Sequence, residues 1–338
     1  MSRLPSFLVS PPPSVGVEIA SDRVTAVSIV KQPDRAASRA GWIVGAHGTE
    51  RLAPGVVTPA LNGLNVHDGR ALAAALRSAF DKLGVRPKRV ALVIPDTAAK
   101  VSLLRFEKVP AAGDLDQLIR WQVRKAAPFK PEDAQISWEP ASPIAGGGRE
   151  YLVTLARRDI VESYMKACGD AGADPGVVDL ASLNLINAAL ASGSAAPGDP
   201  STGSGSSRAT SSGDWLLVHV APDYATLAIV RDRELIFFRT RQLETEADLA
   251  DGVHQTAMYH EDRLGGGHFG RVVLSGASTR GGEAGEKLRR ALEERLGGRV
   301  EALDFRGTAE MRDRIGAAPE LLDALAPAVG VVLRERVA

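Results

Sequence analysis

Val15-Gly-Val-Glu-Ile-Ala-Ser-Asp-Arg-Val-Thr-Ala-Val-Ser-Ile-Val30 decides how this chain folds, because Leu216-Leu-Val-His-Val-Ala-Pro-Asp-Tyr-Ala-Thr-Leu-Ala-Ile-Val230 repeats it. In each stretch two apolar, β-branched runs flank a short polar turn, the pattern of a β-hairpin. Glu18 and His219 hold equivalent places 201 positions apart (219 less 18). Each half of the chain therefore opens with one copy, and an internal duplication outranks most local signals.

In two-lobed phosphotransferase folds such hairpins face each other across a cleft and hold a nucleotide's phosphates. An Asp there serves the metal and a Gly allows close backbone approach. Here those places hold Glu18, Ala20, His219 and Ala221. Mg²⁺ takes hard oxygen ligands in near-octahedral geometry, and imidazole is a softer nitrogen donor. A Cβ at Ala20 or Ala221 restricts both φ and the approach of an anion to the amides, and Pro222 has no N–H to offer. The two hairpins keep the alternation that builds a sheet and lose most residues suited to phosphate chemistry.

With 338 residues, 44% of them hydrophobic, the chain can fill two cores at roughly 100 to 200 residues per domain. Lys and Arg total 41, and so do Asp and Glu. A formal charge of zero gives no general electrostatic reason to expect nucleic acid or an anionic membrane. A lone cysteine, Cys168, excludes an internal disulfide, fits a reducing compartment and reads as a small buried apolar residue. No segment reaches the roughly 20 apolar residues that span a bilayer, and residues 4–9 are too short and Pro-interrupted for a signal peptide.

After the first hairpin, residues 41–48 read as a third strand. A helix follows with Asp68 as its cap, Leu72, Leu76, Ala79 and Leu83 at helical spacing, and Gly84 at its end. Residues 88–95 are a buried strand. This β-β-β-α-β order is the ribonuclease-H-like core of the actin superfamily. Residues 99–172 then read as a small α+β insert with order strand, helix, strand, strand, helix. The core resumes at 177–191, where Asp179 and Ser182 precede an apolar helix. The first lobe thus spans 1–191, and 192–213, almost wholly Gly, Ser, Ala, Pro and Thr, reads as a flexible linker. The second lobe, 214–338, holds the second hairpin, a strand at 234–239, a helix at 247–262, a strand at 271–274, a helix at 283–296, a strand at 299–305 and a closing helix from Glu320.

With this order in place the chain resembles the PilM family, actin-like cytoplasmic proteins of type IV pilus assembly akin to the cell-division protein FtsA. Gly16-Val-Glu-Ile-Ala-Ser21 stands where the family tends to show Gly-Ile-Asp-Ile-Gly-Ser. Leu118-Ile-Arg-Trp-Gln-Val-Arg-Lys-Ala-Ala-Pro-Phe129 is similar to its Ile-Arg-Trp-Glu run ending in Pro-Phe. Val178-Asp-Leu-Ala-Ser-Leu183 resembles Val-Asp-Val-Glu-Ser-Phe, and Val272-Val-Leu-Ser-Gly-Ala-Ser278 stands at a Leu-Ser-Gly-Gly adenosine motif. Almost no chain separates Arg241 from Leu249, where the family usually inserts a helical subdomain that helps close over the nucleotide.

The resemblance implies an actin-like, two-lobed α/β scaffold with a small α+β insert. Its expected place is the cytoplasm, peripheral to the inner membrane through a partner. That partner would be a PilN-like bitopic membrane protein whose cytoplasmic tail docks near the insert, alongside other pilus components, with no nucleic acid bound and no membrane insertion of its own. No cofactor is expected, since the departures at Glu18, Ala20, Thr25, His219 and Ala221 argue against ATP with Mg²⁺. The vestigial nucleotide pocket would join Glu18, Ser21, Asp22, Asp223, Thr226 and Gly276. An alternative is an active ATPase or kinase of this fold using that pocket; another is the cytoplasmic domain of a type II secretion platform, normally continued by a transmembrane helix that this sequence does not supply.

On the helix at 115–126, Leu115, Ile119, Gln122 and Ala126 set the inward direction, which leaves Trp121 on the flank beside Arg120 and Arg124. Trp121 either packs under the insert's own sheet or anchors a partner peptide, for which Trp and Arg are favoured. Arg120, Trp121, Arg124 and Phe129 are the expected partner-binding residues. No His, Cys, Asp and Glu cluster has metal-ligand spacing, and no Ser-His-Asp arrangement is suggested.

Overall fold

The computed structural model describes residues 12–31, 41–144, 146–193, 213–243, 245–312 and 318–334. Most of the expected linker at 192–213, and the stretch at 4–9, lie outside the described residues.

The two repeated stretches are the hairpins the sequence predicts: β1 (Val15–Ile19) with β2 (Arg23–Lys31), and β9 (Trp215–Val220) with β10 (Tyr224–Arg231). Their registers are equivalent, since Glu18 pairs Thr25 and His219 pairs Thr226. Both turns close in the same way, with Ala20 N–H donating to the Arg23 carbonyl and Ala221 N–H to the Tyr224 carbonyl, each at 2.9 Å.

In the first lobe β3 (Trp42–Arg51), α1 (Gly69–Lys82) and β4 (Arg89–Ile94) follow the hairpin, and β8 (Asp174–Leu180) completes the order β3-β2-β1-β4-β8. In the second, β11 (Glu234–Gln242), β12 (Arg271–Ser275) and β13 (Val300–Ala302) give β11-β10-β9-β12-β13. The orders coincide strand for strand, and in both the central pairing is parallel: β1 with β4, β9 with β12. Parallel strands covered on both faces carry near-continuous apolar runs, and all five residues of β1 and all six of β9 are buried. This is the duplicated, actin-like α/β fold.

Local chemistry sets the helix ends. The Asp68 carboxylate accepts from the amides of Arg70 and Ala71 at 3.0 and 2.9 Å, capping α1. Gly84, at φ 67°, stops it in a conformation that costs a Cβ-bearing residue about 1 kcal/mol or more. In α5 (Glu246–Arg263), Thr245 and Asp248 form a capping box. Helix α6 (Gly282–Leu296) lies beside α5.

Between β4 and β8 the chain builds a separate three-stranded sheet in the order β5 (Ala99–Phe106), β7 (Gly148–Arg157), β6 (Ala134–Ile144), covered by α2 (Ala112–Arg124). The expected insert at 99–172 is too long at its end. Helix α3 (Arg158–Asp170) buries Tyr164, Ala167 and Cys168 against Leu72 and Leu76 of α1, within the first lobe's own core. Burial pushes the Cys168 thiol up to about 12, so it is a packing residue rather than a thiolate. On α2 the inward residues are Leu115, Ile119 and Val123, spaced four apart, so Gln122 and Ala126 are displaced from the expected inward stripe.

The C-terminal stretch departs most from expectation. The strand expected at 299–305 is only β13, and β14 (Ala309–Met311) pairs with β3 at the edge of the first lobe's sheet. Helix α7 (Pro319–Leu333) packs on α4 (Ala181–Gly193) and on β1, β2 and β4. The chain after β13 therefore returns to the first lobe, and the assignment of 214–338 to the second lobe alone is corrected. Helix α4 likewise runs through Ser192, whose hydroxyl donates to the Ala188 carbonyl at 2.8 Å, so the expected linker starts later. One apolar cluster joins both sheets through these helices: Val27, Val93, Leu185, Leu217, Val273 and Val329 all belong to it.

Glycine makes that packing possible. A Cβ at Gly330 would stand 2.0 Å from the Asn184 carbonyl oxygen, and one at Gly16 would stand 2.0 Å from that of Ala328. Gly330→Ala should destabilise the fold by about 2 to 4 kcal/mol despite alanine's better helix propensity, through backbone overpacking. Gly69→Ala, with open space at its Cβ, should be neutral within about 0.5 kcal/mol. Urea titration of both variants checks the contrast.

Candidate functional site

Two places merit description, the junction of the twin hairpins and a groove beside the insert. At the junction, the loop after β4 carries Asp96, fully buried. The Asp96 carboxylate accepts from the Ser182 amide at 3.0 Å, from the Ser182 hydroxyl, and from the Thr226 hydroxyl at 2.7 Å. Ser182 Oγ also meets His219 Nδ1 at 2.8 Å, and the Asp96 amide donates to the Tyr224 hydroxyl at 3.2 Å. Residues from the loop after β4 and from α4, β9 and β10 thus close a polar network across the two lobes.

The threonines repeat as a pair. Thr25 faces Thr49 with oxygens 3.4 Å apart, and Thr226 faces Thr240 at 2.9 Å.

The sequence-predicted pocket residues divide between this network and its rim. Thr226 is inside it. Ser21 and Asp223, one from each turn, meet directly, the serine hydroxyl donating to Asp223 Oδ1 at 3.1 Å. Burial pushes the Asp223 carboxyl up, and the Ser21 hydrogen bond opposes that. Asp22 pairs with Arg23 at 3.0 Å. Glu18 is 4% exposed, and its Oε2 lies 3.7 Å from an Arg23 nitrogen without a hydrogen bond. Gly276 sits at φ 83°, where a Cβ would come within 2.2 Å of the Val220 carbonyl oxygen. Asp323 of α7 holds that loop by accepting from the Ser278 amide at 2.9 Å and the Ser275 hydroxyl at 3.3 Å. Asp96 and Asp323 escaped sequence reading. The signal for Asp96 was a lone carboxylate directly after a buried strand, in Ile94-Pro-Asp-Thr-Ala98.

This donor set departs from what Mg²⁺ and a triphosphate require. The Glu18 carboxylate faces a guanidinium, the His219 ring is engaged by Ser182 and packs edge-on to Tyr224 with ring centres 5.6 Å apart, and the turn amides at Ala20 and Ala221 are spent on turn closure. Among the described residues no group of three His, Cys, Asp or Glu could hold a metal ion.

The groove has a cavity of about 520 Å³. One wall is the face of the insert sheet bearing Ser137, Leu152 and Thr154, another is β8 and α4 with Val178, Leu183 and Ile186, and the β10–β11 turn of the second lobe closes a third side with Arg233 and Leu235. At its rim Arg334 donates to Asp179 at 2.7 Å and approaches Glu139 at 4.0 Å. Burial raises the Asp179 carboxyl, and the Arg334 charge pulls it back. Strand β6 is an edge strand and contributes residues 135 and 137–141 to the wall.

The predicted partner-binding residues are not in this groove. Side chains alternate across a strand, so Leu152 and Thr154 face the groove while Tyr151, Val153 and Leu155 face α2. Arg120, Trp121 and Arg124 lie on the α2 side, and Phe129 is half-buried there against the insert's core. Trp121 does not pack under the sheet; it is 57% exposed.

The family described as "Type IV pilus assembly protein PilM" matches residues 16–251. No curated protein matches the chain. Among solved structures, a PilM-PilN type IV pilus biogenesis complex superposes with TM-score 0.76 at 16% identity, covering 95% of this chain and 98% of that one. A Bacteroides thetaiotaomicron protein of unknown function with an actin-like ATPase fold gives TM-score 0.46 at 12% identity, covering 89% and 94%. The ethanolamine utilization protein EutJ of Carboxydothermus hydrogenoformans gives 0.45 at 10%, covering 96% and 90%.

Burial holds the Glu18 proton more tightly in the folded chain than in the unfolded one, with Arg23 and His219 opposing. The carboxyl therefore costs nothing while both states are protonated, and destabilises as pH rises through the raised folded value. The stability of Glu18→Gln relative to the parent should improve from about pH 4 to about pH 8. Thermal melts across that range check it, and a gap independent of pH would show no such charge penalty.

Proposed function

The chain belongs to the PilM family of type IV pilus assembly proteins, and on that premise we propose that it is a nucleotide-independent scaffold whose groove captures the cytoplasmic tail of a PilN-like membrane protein. The observation that carries this reading is the groove itself, a cavity of about 520 Å³ in which apolar residues such as Leu152, Leu183 and Ile186 alternate with polar ones, walled by the insert, the first lobe and the second lobe's β10–β11 turn. An extended tail suits it, because an edge strand offers main-chain hydrogen bonds and adjoining pockets take alternate side chains. Pro140 and Pro143 on β6 remove two donors from that edge, the kind of placement that guards an exposed edge against indiscriminate pairing.

The similar solved structure is a complex of PilM with PilN, and the transfer of that pairing to this chain rests on the family membership and on the groove. Among the described residues no helix is long and apolar enough to cross a membrane. A tail emerging from a bitopic partner would hold the scaffold at the inner membrane without a spanning segment in the described part of this chain.

Support for a role without ATP chemistry comes from the junction of the hairpins. Asp96, Ser182, His219 and Thr226 satisfy one another where a phosphate-binding cleft needs open donors, and a fully paired buried network of this kind rigidifies rather than turns over.

Ser137 is exposed on the groove wall, so Ser137→Trp should fill the cavity without touching the core. Calorimetry with a synthetic peptide of the PilN-like tail should show binding weakened by about 1 to 3 kcal/mol in this variant and in Leu183→Asp, with melting temperature checked for each. Undiminished affinity in Ser137→Trp would overturn the groove reading. Separately, millimolar Mg-ATP should leave the melting temperature unmoved. A ligand bound to the native state alone raises it, so a rise of several degrees would reinstate a nucleotide site.

A further inference from the structure

We propose that the outer face of α2, centred on Trp121, is a second docking site that takes an acidic segment of a partner protein bearing one apolar anchor. This goes beyond capture of a tail in the groove, from which the insert's sheet separates it.

Three observations converge on this face. First, Trp121 is 57% exposed and Leu118, one turn earlier, 39%. The helix is already secured by Leu115, Ile119 and Val123 on its other side, so neither exposed residue is needed for the insert's core. Second, the surface beside Trp121 is concave. A cavity of about 310 Å³ opens between α2 and the sheet, with Val123, Ala134, Ile136 and Leu155 in its lining, room for a leucine or phenylalanine side chain. Third, the surroundings are basic. Arg120 and Arg124 line the same cavity, and the Lys125 ammonium lies 4.6 Å from the centre of the Trp121 ring. Arg120 is held by Asp116 at 2.6 Å, whereas Arg124 has no carboxylate partner among the described residues.

Basic residues in the last turn of a helix are ordinary, because they complement its dipole. The dipole explains neither an exposed tryptophan nor an apolar cavity beneath it. In a chain with zero formal charge the basic rim is a local feature, and its electrostatic complement is an acidic segment. The cavity specifies an inserted side chain, and Trp beside Arg is the composition of interface hot spots. A membrane surface would instead favour a convex, protruding apolar face; here the apolar surface is recessed.

A library of random dodecapeptides displayed on phage, selected on the full chain, tests the proposal without knowledge of the natural partner. Enriched peptides should carry Asp or Glu flanking a single Leu, Phe or Trp. Affinity of the best synthetic peptide should fall by about tenfold or more in Trp121→Ala, a variant that melts like the parent. Arg124→Glu combined with Lys125→Glu should redirect selection toward basic peptides, and Ser137→Trp in the groove should leave affinity unchanged. Enriched peptides without acidic residues, or binding that survives Trp121→Ala, would overturn the proposal. So would Trp121-dependent sedimentation with phosphatidylglycerol vesicles, or Trp121-dependent self-association, in the absence of selected acidic peptides.

Discussion

The close approach of α7 to α4 and β1 is the constraint on which the molecule rests. Both helices lie in one apolar cluster with strands of both sheets, and the approach is limited by backbone, not side chains. Gly330 sits where any Cβ would meet the Asn184 carbonyl, and Gly16 where one would meet that of Ala328. Because protein interiors pack at crystal density, this contact sets how closely α7 lies on the first lobe. Asp323 of the same helix then holds the Gly276 loop of the second lobe, so one element packs on the first lobe and is hydrogen-bonded to the second.

At the hairpin junction the two lobes meet through side-chain hydrogen bonds. Three hydrogen bonds there cross between the lobes: Thr226 to Asp96, His219 to Ser182, and Ser21 to Asp223. In a low-dielectric setting such a network stabilises one arrangement, because separating the lobes would leave buried donors and acceptors unpaired. Glu18 takes no part in these bonds. Its Oε2 lacks a hydrogen bond beside Arg23, whose Nε is also unpartnered. The β10–β11 turn of the second lobe reaches the groove, where Arg233 and Leu235 form part of its wall.

Much of this was legible in the chain itself. The repeat of the two hairpins specified the duplicated sheets because strand alternation and turn chemistry are local, and the registers Glu18–Thr25 and His219–Thr226 follow from the same offset. The caps at Asp68 and Gly84 were legible for the same reason. The candidate site was legible in part. Turn residues such as Ser21 and Asp223 could be named, but their direct contact spans 202 positions. Trp121 was correctly placed off the inward face of α2, and its separation from the groove depended on which face of the insert sheet each side chain takes.

Sequence alone determined the two-lobed architecture, the helix ends and the placing of Glu18, Ala20, His219 and Ala221 at matching points of the two hairpins, all of which are properties of short stretches and their repetition. Tertiary structure alone decided that β14 and α7 return to the first lobe, that α3 belongs to the core rather than to the insert, and that Asp96 and Asp323 tie the cleft together. These depend on contacts between residues far apart in the chain. A three-residue edge strand, or a lone buried carboxylate, carries no periodic signal of its own until the surfaces it joins have been brought together.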